Sequence, residues 1–211
     1  MTVTNDRSKT SKALGIFPPV IASIQPCAGA VQAKIKEPII TALPTGMPKI
    51  RELASGDSLN EITSLLHRAY ARLGAMGLNY TAVDQSPEVT AERIAGGRCF
   101  VAEIEGKVVG TILVKPTYST NDCEYFTRPG VAAVHQFAVD PDVQSKGIGR
   151  ALLRNCEEWA KRSGYQELAM DTAEPAAHLV ELYASLGYEQ VGFVQWPGKV
   201  YRSVVLSKSL Q

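Results

Sequence analysis

Apolar residues recur at helical spacing in four stretches of the chain, all of them after residue 48. The first stretch opens with a capping box, in which Ser58 and Glu61 can satisfy each other's backbone N–H groups. The second opens at Ser86 with Pro87 in the first helical position, where the N–H that proline lacks would have no partner. The spacing predicts helices over residues 59–73, 87–95, 148–162 and 177–186.

Seven shorter runs are rich in apolar and β-branched residues and predict strands. They cover residues 49–53, 99–104, 108–114, 131–139, 168–171, 188–194 and 200–206. The second and third runs, and the last two, are close enough in sequence to form hairpins. The fourth run is apolar on both faces, which is typical of a buried central strand. The resulting order, β-α-α-β-β-β-α-β-α-β-β, predicts a mixed α/β fold in layers.

The first 47 residues show no helical or alternating period. Half of the 12 prolines fall within the first 48 positions, so we predict a flexible, proline-rich extension over residues 1–47 and a single domain over residues 48–211. Basic residues precede an apolar run at 13–17, as in a secretory signal, but Pro18 and Pro19 interrupt that run. Secretion or import into an organelle therefore stays an alternative to a cytoplasmic location.

Charge is balanced, with 22 Lys and Arg against 21 Asp and Glu and a formal net charge of +1. This balance gives no reason to expect a nucleic-acid or membrane partner, and no apolar stretch approaches the ~20 residues that span a bilayer. The four cysteines form no C-x-x-C pair and have no histidine at metal-ligand spacing. We therefore expect free thiols, no metal and a cytoplasmic protein, in which any bound anion is held by local geometry.

A candidate anion site is the segment Gln144-Ser145-Lys146-Gly147-Ile148-Gly149, between a predicted strand and a predicted helix. Because Gly147 and Gly149 have no side chains, backbone N–H groups can approach an anion there, and the helix macrodipole adds about half a positive charge. A dinucleotide-binding fingerprint would need a third glycine where Leu152 stands, and a Walker loop would need its lysine after the glycine, whereas Lys146 precedes it. Glycines that only allow close helix–strand packing remain the alternative.

The same segment, Gln144-x-x-Gly147-x-Gly149, follows Val139-Asp140-Pro141 and resembles the coenzyme-A motif Q/R-x-x-G-x-G/A of the GNAT superfamily of N-acetyltransferases. Tyr183-Ala184-Ser185-Leu186-Gly187-Tyr188 resembles the Y-x-x-x-G-F/Y segment of that family. With the order of elements, the resemblance covers about residues 49–208. It implies an α/β fold with a mixed, mostly antiparallel sheet, a splayed central strand pair and helices on both faces. It also implies an enzyme that moves an acetyl group from acetyl-CoA to a primary amine.

Carried over by position, the resemblance assigns the contacts with acetyl-CoA to two segments. The backbone of Phe137, Ala138 and Val139 would pair with the pantetheine. The pyrophosphate would be held by the backbone amides of Gln144, Ser145, Lys146, Gly147, Ile148, Gly149 and Arg150. Tyr183 matches the general acid of the family, because a phenol of pKa about 10 can protonate the leaving thiolate. An asparagine that many members carry seven residues before this tyrosine is replaced by Ala176.

The resemblance identifies the general base less directly than it identifies the general acid. Members often use a glutamate six residues before the motif valine, where this chain has Ala133, and others use a histidine four residues before it, which corresponds to His135. Strand alternation would put His135 on the same face as Ala133, Phe137 and Val139, and a histidine titrates near neutral pH. We therefore predict His135 as the base, with a purely structural histidine as the alternative. The other candidates are Glu124 and Asp171.

In this superfamily the acceptor binds among the first two helices, the loop before the central strand and the C-terminal hairpin. Those segments here contain Tyr70, Tyr80, Tyr118, Tyr125, Phe126, Trp196 and Tyr201, with Glu124 nearby. Aromatic side chains and an acid suit an amine that carries apolar bulk, so we expect a small-molecule amine substrate. Acetylation of a protein lysine or N-terminus, and a non-catalytic acyl-CoA sensor, are the alternatives, and the sequence is compatible with a homodimer.

Overall fold

A computed structural model describes residues 46–211; residues 1–45, nearly all of the predicted extension, lie outside the described residues. The helices are α1 (Leu59–Ala75), α2 (Pro87–Ile94), α3 (Ile148–Arg162) and α4 (Ala177–Ser185). The strands are β1 (Lys49–Glu52), β2 (Arg98–Ile104), β3 (Lys107–Lys115), β4 (Val131–Val139), β5 (Glu167–Ala173), β6 (Glu189–Val194) and β7 (Ser203–Ser209). The order of helices and strands is the predicted one.

The strands form one sheet in the order β1-β2-β3-β4-β5-β7-β6. Neighbouring strands are antiparallel, except that β4 and β5 run parallel. This parallel pair forms only at its start, where Val131–Ala133 pair with Glu167–Ala169, and the two strands then separate. The predicted mostly antiparallel sheet with a splayed central pair is therefore confirmed.

Helices cover both faces of this sheet. On one face, α3 packs on β2, β3 and β4 through a buried stripe that includes Leu152 and Cys156. On the other face, α1 packs on β3 and β4 through Ile62 and Leu66. The helix α4 covers β5 and β6. The central strands of the sheet are buried between these layers, as in a mixed α/β fold, whereas the edge strand β6 is largely exposed.

The strand β4 contains a bulge in its second half. Between His135 and Ala138 it has two residues where β3 has one, so one residue of β4 is extra. Gln136 accommodates the extra length with a positive φ of 47°, which is uncommon for a residue other than glycine. Its buried side chain accepts a hydrogen bond through Oε1 from Nε2 of Gln85 at 2.9 Å. The bulge is therefore held by packing and reverses the alternation of side chains beyond it.

This reversal corrects one prediction about the site. His135 does share a face with Ala133, and its ring lies edge-on to Phe126 at a centroid distance of 5.8 Å. Phe137 and Val139 lie beyond the bulge and pack instead on the face covered by α3. The prediction that His135 shares a face with Phe137 and Val139 is wrong, because strict alternation does not pass through a bulge.

The last strand begins three residues later than predicted. Val200 and Tyr201, which suggested its start, belong to the connection between β6 and β7, and Val200 is 72% exposed. The connection is fixed from outside the hairpin by Asn79, whose side chain donates to the carbonyl of Gly198 at 2.8 Å and accepts from the N–H of Val200 at 3.1 Å. The backbone of this connection is therefore positioned by hydrogen bonds to a distant loop and not by pairing within the sheet.

Within residues 46–211, no helix combines the length and apolar character that crossing a membrane requires. The same part of the chain contains no group of three or more His, Cys, Asp and Glu side chains arranged to hold a metal ion. Three described cysteines, Cys99, Cys123 and Cys156, are buried free thiols, whereas Cys27 lies outside the described residues.

Candidate active site

The loop before α3 presents a row of backbone N–H groups. Ser145 and Gly147 have positive φ values of 64° and 80°, and this conformation turns the chain directly into α3. The first helical hydrogen bond joins the N–H of Ala151 to the carbonyl of Gly147 at 3.0 Å. Among the described residues, no acceptor is present for the six amides from Ser145 to Arg150. Such a row of amides at a helix N-terminus is suited to an oxyanion.

Gln144, the first residue of this loop, behaves differently from the others. Its N–H already donates to the carbonyl of Pro141 at 3.4 Å. Its side chain turns back, and Nε2 donates to the carbonyl of Val139 at 3.1 Å. The side chain of Gln144 thus links the end of β4 to the start of the loop.

The space around the loop glycines tests the hypothesis that they serve only helix–strand packing. A Cβ atom on Gly147 would meet no atom within 4 Å, so glycine is favoured at this position by the positive φ of 80° and not by a lack of space. A Cβ on Gly149 would lie 3.4 Å from Cζ of Phe137, an ordinary contact. The glycine that allows α3 to pack closely is Gly110 on β3, where a Cβ would lie 2.9 Å from Cδ1 of Leu152. The conformation of Gly147 therefore serves the turn of the loop.

A cavity of about 500 Å³ opens where β4 and β5 separate. The residues predicted to contact pantetheine, Phe137, Ala138 and Val139, form part of its wall, and Gln144 lies at the same wall. Beyond Ala133, the edge of β4 that faces β5 has no strand partner. The carbonyl of Phe137 already accepts a hydrogen bond from the hydroxyl of Tyr70 at 3.2 Å. The remaining backbone groups on this edge can pair with an extended ligand, as an added strand would.

Tyr183 projects from α4 into the wall of this cavity. Its ring lies beside Phe137 and Tyr188, at centroid distances of 6.4 Å and 6.3 Å. Burial is the main cause that raises the pKa of Tyr183 above its ordinary value, so the phenol keeps its proton at neutral pH. Within residues 46–211 its hydroxyl has no hydrogen-bond partner. The hydroxyl is thus free to donate a proton, but its raised pKa makes it a weaker acid than an ordinary tyrosine, so transfer of the proton to a thiolate is less favourable in the free protein.

His135 also lies at the cavity wall, and its environment keeps it neutral. Burial, and then the positive charges of Arg93 and Lys115, lower the pKa of His135 to about 3. Nε2 lies 2.9 Å from the hydroxyl of Tyr118. With so low a pKa the imidazole binds a proton weakly in the free protein, which reduces its strength as a general base.

The two acidic candidates are placed differently. Asp171 on β5 lines the cavity, and burial raises the pKa of its carboxyl group, while a hydrogen bond from Nε1 of Trp196 at 2.8 Å acts in the opposite direction. Glu124 belongs to a short 3₁₀ turn, Glu124–Thr127, and is not among the residues that line the cavity. The structure therefore brings Asp171, and not Glu124, together with Tyr183 and His135.

Most of the predicted aromatic residues do meet at the cavity. Those that line it are Tyr70, Tyr80, Tyr118, Trp196 and Tyr201. Phe126 is fully buried behind Tyr118, and Tyr125 lies elsewhere, where its hydroxyl donates to Glu167. The cavity thus combines aromatic walls with His135 and Asp171, the two candidate bases that line it.

Three cationic residues that no sequence pattern predicted also line this cavity: Arg93, Lys115 and Lys199. Arg93 is in the last turn of α2, Lys115 ends β3, and Lys199 lies in the connection between β6 and β7. Each occupies a position that in a sequence is indistinguishable from a solvated surface charge. Only the assembly of three separate segments around the splayed strands brings them together.

Comparisons with known proteins agree with this geometry. The model of the acetyltransferase (GNAT) family matches residues 60–188. The chain is 29% identical over 166 residues to the S-(2-succino)cysteine N-acetyltransferase of Bacillus subtilis, an alignment that covers 78% of this chain and 97% of that protein.

Two solved structures show the same fold. The Escherichia coli ribosomal-protein-S18-alanine N-acetyltransferase matches with a TM-score of 0.60 and 19% identity, over 78% of this chain and 95% of that one. A GNAT family acetyltransferase from Elizabethkingia anophelis, solved with acetyl-CoA bound, matches with a TM-score of 0.56 and 17% identity, over 77% of this chain and 97% of that one. With a family match over well more than half of its length, the chain belongs to the GNAT family of N-acetyltransferases, enzymes that use acetyl-CoA as co-substrate.

Proposed function

We propose that this enzyme acetylates the primary amine of a small molecule and that the splayed strands and the loop before α3 bind acetyl-CoA. The observation that carries this proposal is a walled cavity of about 500 Å³ that contains both Tyr183 and the backbone edge of β4. The Bacillus subtilis relative, by name an S-(2-succino)cysteine N-acetyltransferase, supports an amine of this kind.

The residues present fit acetyl-CoA. The six amides from Ser145 to Arg150 have no acceptor among the described residues and would bind the pyrophosphate, with the side chain of Arg150 adding a positive charge. The backbone of Phe137, Ala138 and Val139 would pair with the pantetheine along the exposed edge of β4. Gln144 would contribute mainly by fixing the end of β4, since its side chain binds the carbonyl of Val139.

Acetyl-CoA supplies an acetyl thioester, which an uncharged amine can attack directly. The N–H groups at the β4 bulge would stabilise negative charge on the thioester oxygen. The hydroxyl of Tyr183 would donate its proton to the departing sulfur. We propose His135 as the group that takes the proton from the amine, with Asp171 as the second candidate. A bound negative charge next to Arg93 and Lys115 would raise the pKa of His135 and strengthen it as a base.

Contacts between two segments beside the cavity support a small acceptor over a protein chain. Nζ of Lys199, in the connection after β6, donates to the carbonyl of Asn79, after α1, at 2.6 Å and to Oγ1 of Thr81 at 3.0 Å. Asn79 in turn binds the backbone at Gly198 and Val200. A peptide substrate that entered between these two segments would have to break these hydrogen bonds.

Replacing Tyr183 with phenylalanine tests the proposal. We expect kcat for acetyl transfer to fall about 10²- to 10⁴-fold, the usual contribution of a positioned acid, while the Kd for acetyl-CoA measured by calorimetry stays unchanged. Tyr165→Phe is the matched control, because Tyr165 stacks on Trp159 away from the cavity and should retain full turnover. Full activity of the Tyr183 variant would refute its role, and turnover of lysine peptides but of no free amine would refute the small-molecule acceptor.

Two further properties belong to the same proposal. The buried free thiols of Cys99, Cys123 and Cys156 favour the reducing cytoplasm, which fluorescence microscopy of the tagged protein would test.

For the oligomeric state, the exposed side chains of Val191 and Phe193 on the edge strand β6 favour a homodimer. Analytical ultracentrifugation at micromolar concentration would detect it, and a monomer under those conditions would refute it.

A further inference from the structure

The lining of the cavity carries an excess of positive charge. Arg93, Lys115 and Lys199 line it from three different segments, and Asp171 is the carboxylate that lines it with them. His135 adds no positive charge, because its low pKa keeps the imidazole neutral. The formal net charge of the whole chain is only +1, so this local excess is not a general property of the protein.

Arg93 is the member of this group that lacks a partner. No ion pair and no side-chain hydrogen bond joins it to any other residue between 46 and 211, and its Nε is buried without an acceptor. By contrast, Arg51, the other partly buried arginine of residues 46–211, binds both Asp57 and Glu103. A guanidinium that is partly removed from water without an acceptor is costly, and a bound carboxylate offsets part of that cost.

The two lysines have hydrogen-bond acceptors but no carboxylate at ion-pair distance within residues 46–211, although the negative charge of Asp84, which does not line the cavity, partly offsets that of Lys199. Nζ of Lys115 donates to the backbone carbonyl of Ala95, and Nζ of Lys199 donates to the carbonyl of Asn79. Burial, and then the charge of Arg93, lower the pKa of both lysines. The three cations therefore repel one another, and a bound anion would relieve that repulsion.

Other groups that face Arg93 do not remove this excess. Asp171 approaches from β5 and His135 from β4, and both feel the charge of Arg93. Tyr70 and Tyr118 complete the surroundings with neutral phenols, since burial raises the pKa of each. Three cations thus meet one carboxylate in a cavity with aromatic walls, and a ligand with two negative charges would balance them.

We propose, on the basis of the small-molecule function above, that the acceptor is an amino acid with a second carboxylate, at least one of whose carboxylates pairs with Arg93. The planar guanidinium can bind a carboxylate through two parallel hydrogen bonds, which a lysine cannot do. Lys115 and Lys199 supply the additional charge for the second carboxylate. The aromatic rings contact the carbon skeleton, and Asp171 faces the amine.

The test compares three acceptors of equal size. They are S-carboxymethyl-L-cysteine, with two carboxylates, S-carbamoylmethyl-L-cysteine, with one, and the carboxamide of the latter, with none. For the full-length enzyme we expect kcat/KM to fall about tenfold or more with each carboxylate that is replaced by an amide. Equal rates for the diacid and the diamide would overturn the proposal and leave small-molecule acetylation intact.

Variants of Arg93 then locate the effect. Arg93→Met should lower kcat/KM for the diacid about 100-fold, whereas kcat/KM for the diamide should change less than about threefold. Arg93→Lys should give an intermediate loss, because it keeps the charge but not the paired hydrogen bonds. Arg162→Met, at the exposed C-terminal end of α3, is the control and should leave all three rates unchanged.

A merely structural role of Arg93 predicts a different pattern. In that case Arg93→Met would lower the thermal midpoint and reduce kcat/KM for all three acceptors equally, and this result would overturn the proposal. We expect the midpoint to be equal or higher instead, because the variant removes a cation that has no carboxylate partner within residues 46–211. Turnover of lysine peptides alone, or of no amine at all by a protein that binds acetyl-CoA, would count against both this inference and the proposed function.

Discussion

The depressed pKa of His135 should make the stability of the enzyme depend on pH in a defined window. In the unfolded chain a histidine has a pKa of about 6.5, whereas in the folded protein that of His135 is about 3. As the pH falls below 6.5, the unfolded state therefore gains a proton that the folded state does not, and the free energy of unfolding decreases. Between pH 7 and pH 5 this single group should cost about 2 kcal/mol.

The carboxyl groups with shifted pKa values act differently. Those with lowered pKa values, such as Asp57 and Glu167, lose their contribution below about pH 4.5. The raised pKa of Asp171 stabilises the folded protein as the pH falls, and this contribution is shared by the wild type and a variant of His135. The difference between those two proteins from pH 7 to pH 5 therefore reports His135.

The assay is urea unfolding followed by circular dichroism at pH 7 and pH 5, on the wild type and on His135→Gln. Glutamine can keep a hydrogen bond to Tyr118 but does not titrate, so the variant should lose about 2 kcal/mol less between the two pH values than the wild type does. His178→Gln, at an exposed position on α4, is the control and should behave like the wild type. An equal loss in the wild type and His135→Gln would refute a neutral, buried His135.

Substitutions at Gly147, Gly110 and Asp140, two of them paired with a comparison variant, test the backbone and packing around the site. Gly147→Ala should lower the free energy of unfolding in urea by about 1–2 kcal/mol and weaken the binding of acetyl-CoA in calorimetric titration, because the φ of residue 147 is positive. Gly149→Ala, whose Cβ would make only an ordinary contact, should reduce both quantities less. Gly110→Ala should cost about 1–3 kcal/mol in urea unfolding, since its Cβ would collide with α3, and an unchanged midpoint would contradict this packing. Asp140→Asn should cost about 1–2 kcal/mol, because the buried carboxylate binds Arg68 at 2.7 Å, and Arg68→Met should add little to it in the double variant.

The elements of the fold follow from local signals that can be read in the sequence. Ser58 and Ser86 do cap their helices, each accepting a backbone N–H at 3.3 Å. Pro87 does occupy the first turn of α2. These signals lie within a few residues of the structure they specify, and the helix and strand order was therefore predictable.

Features that depend on distant partners were not predictable. The bulge in β4 needs a positive φ at Gln136, a residue with no strong preference for it, and a buried partner, Gln85, that is 51 positions away in sequence. The meeting of Arg93 with Lys199 depends on how α2 and the last hairpin approach the splayed strands. A single sequence carries no periodic or spacing signal for such approaches.

The position of β7 has a consequence for the synthesis of the protein. Although β7 is the last strand in sequence, it lies between β5 and β6 and pairs with both. While the chain is being made, β5 and β6 have no common partner until Ser209 has left the ribosomal exit tunnel. Strands β1 to β4 can pair earlier, because each neighbour precedes the next along the chain. During translation, therefore, the half of the sheet that carries Asp171 and adjoins Tyr183 should be the last to form, and a nascent chain stalled before β7 should expose these strands to chaperones.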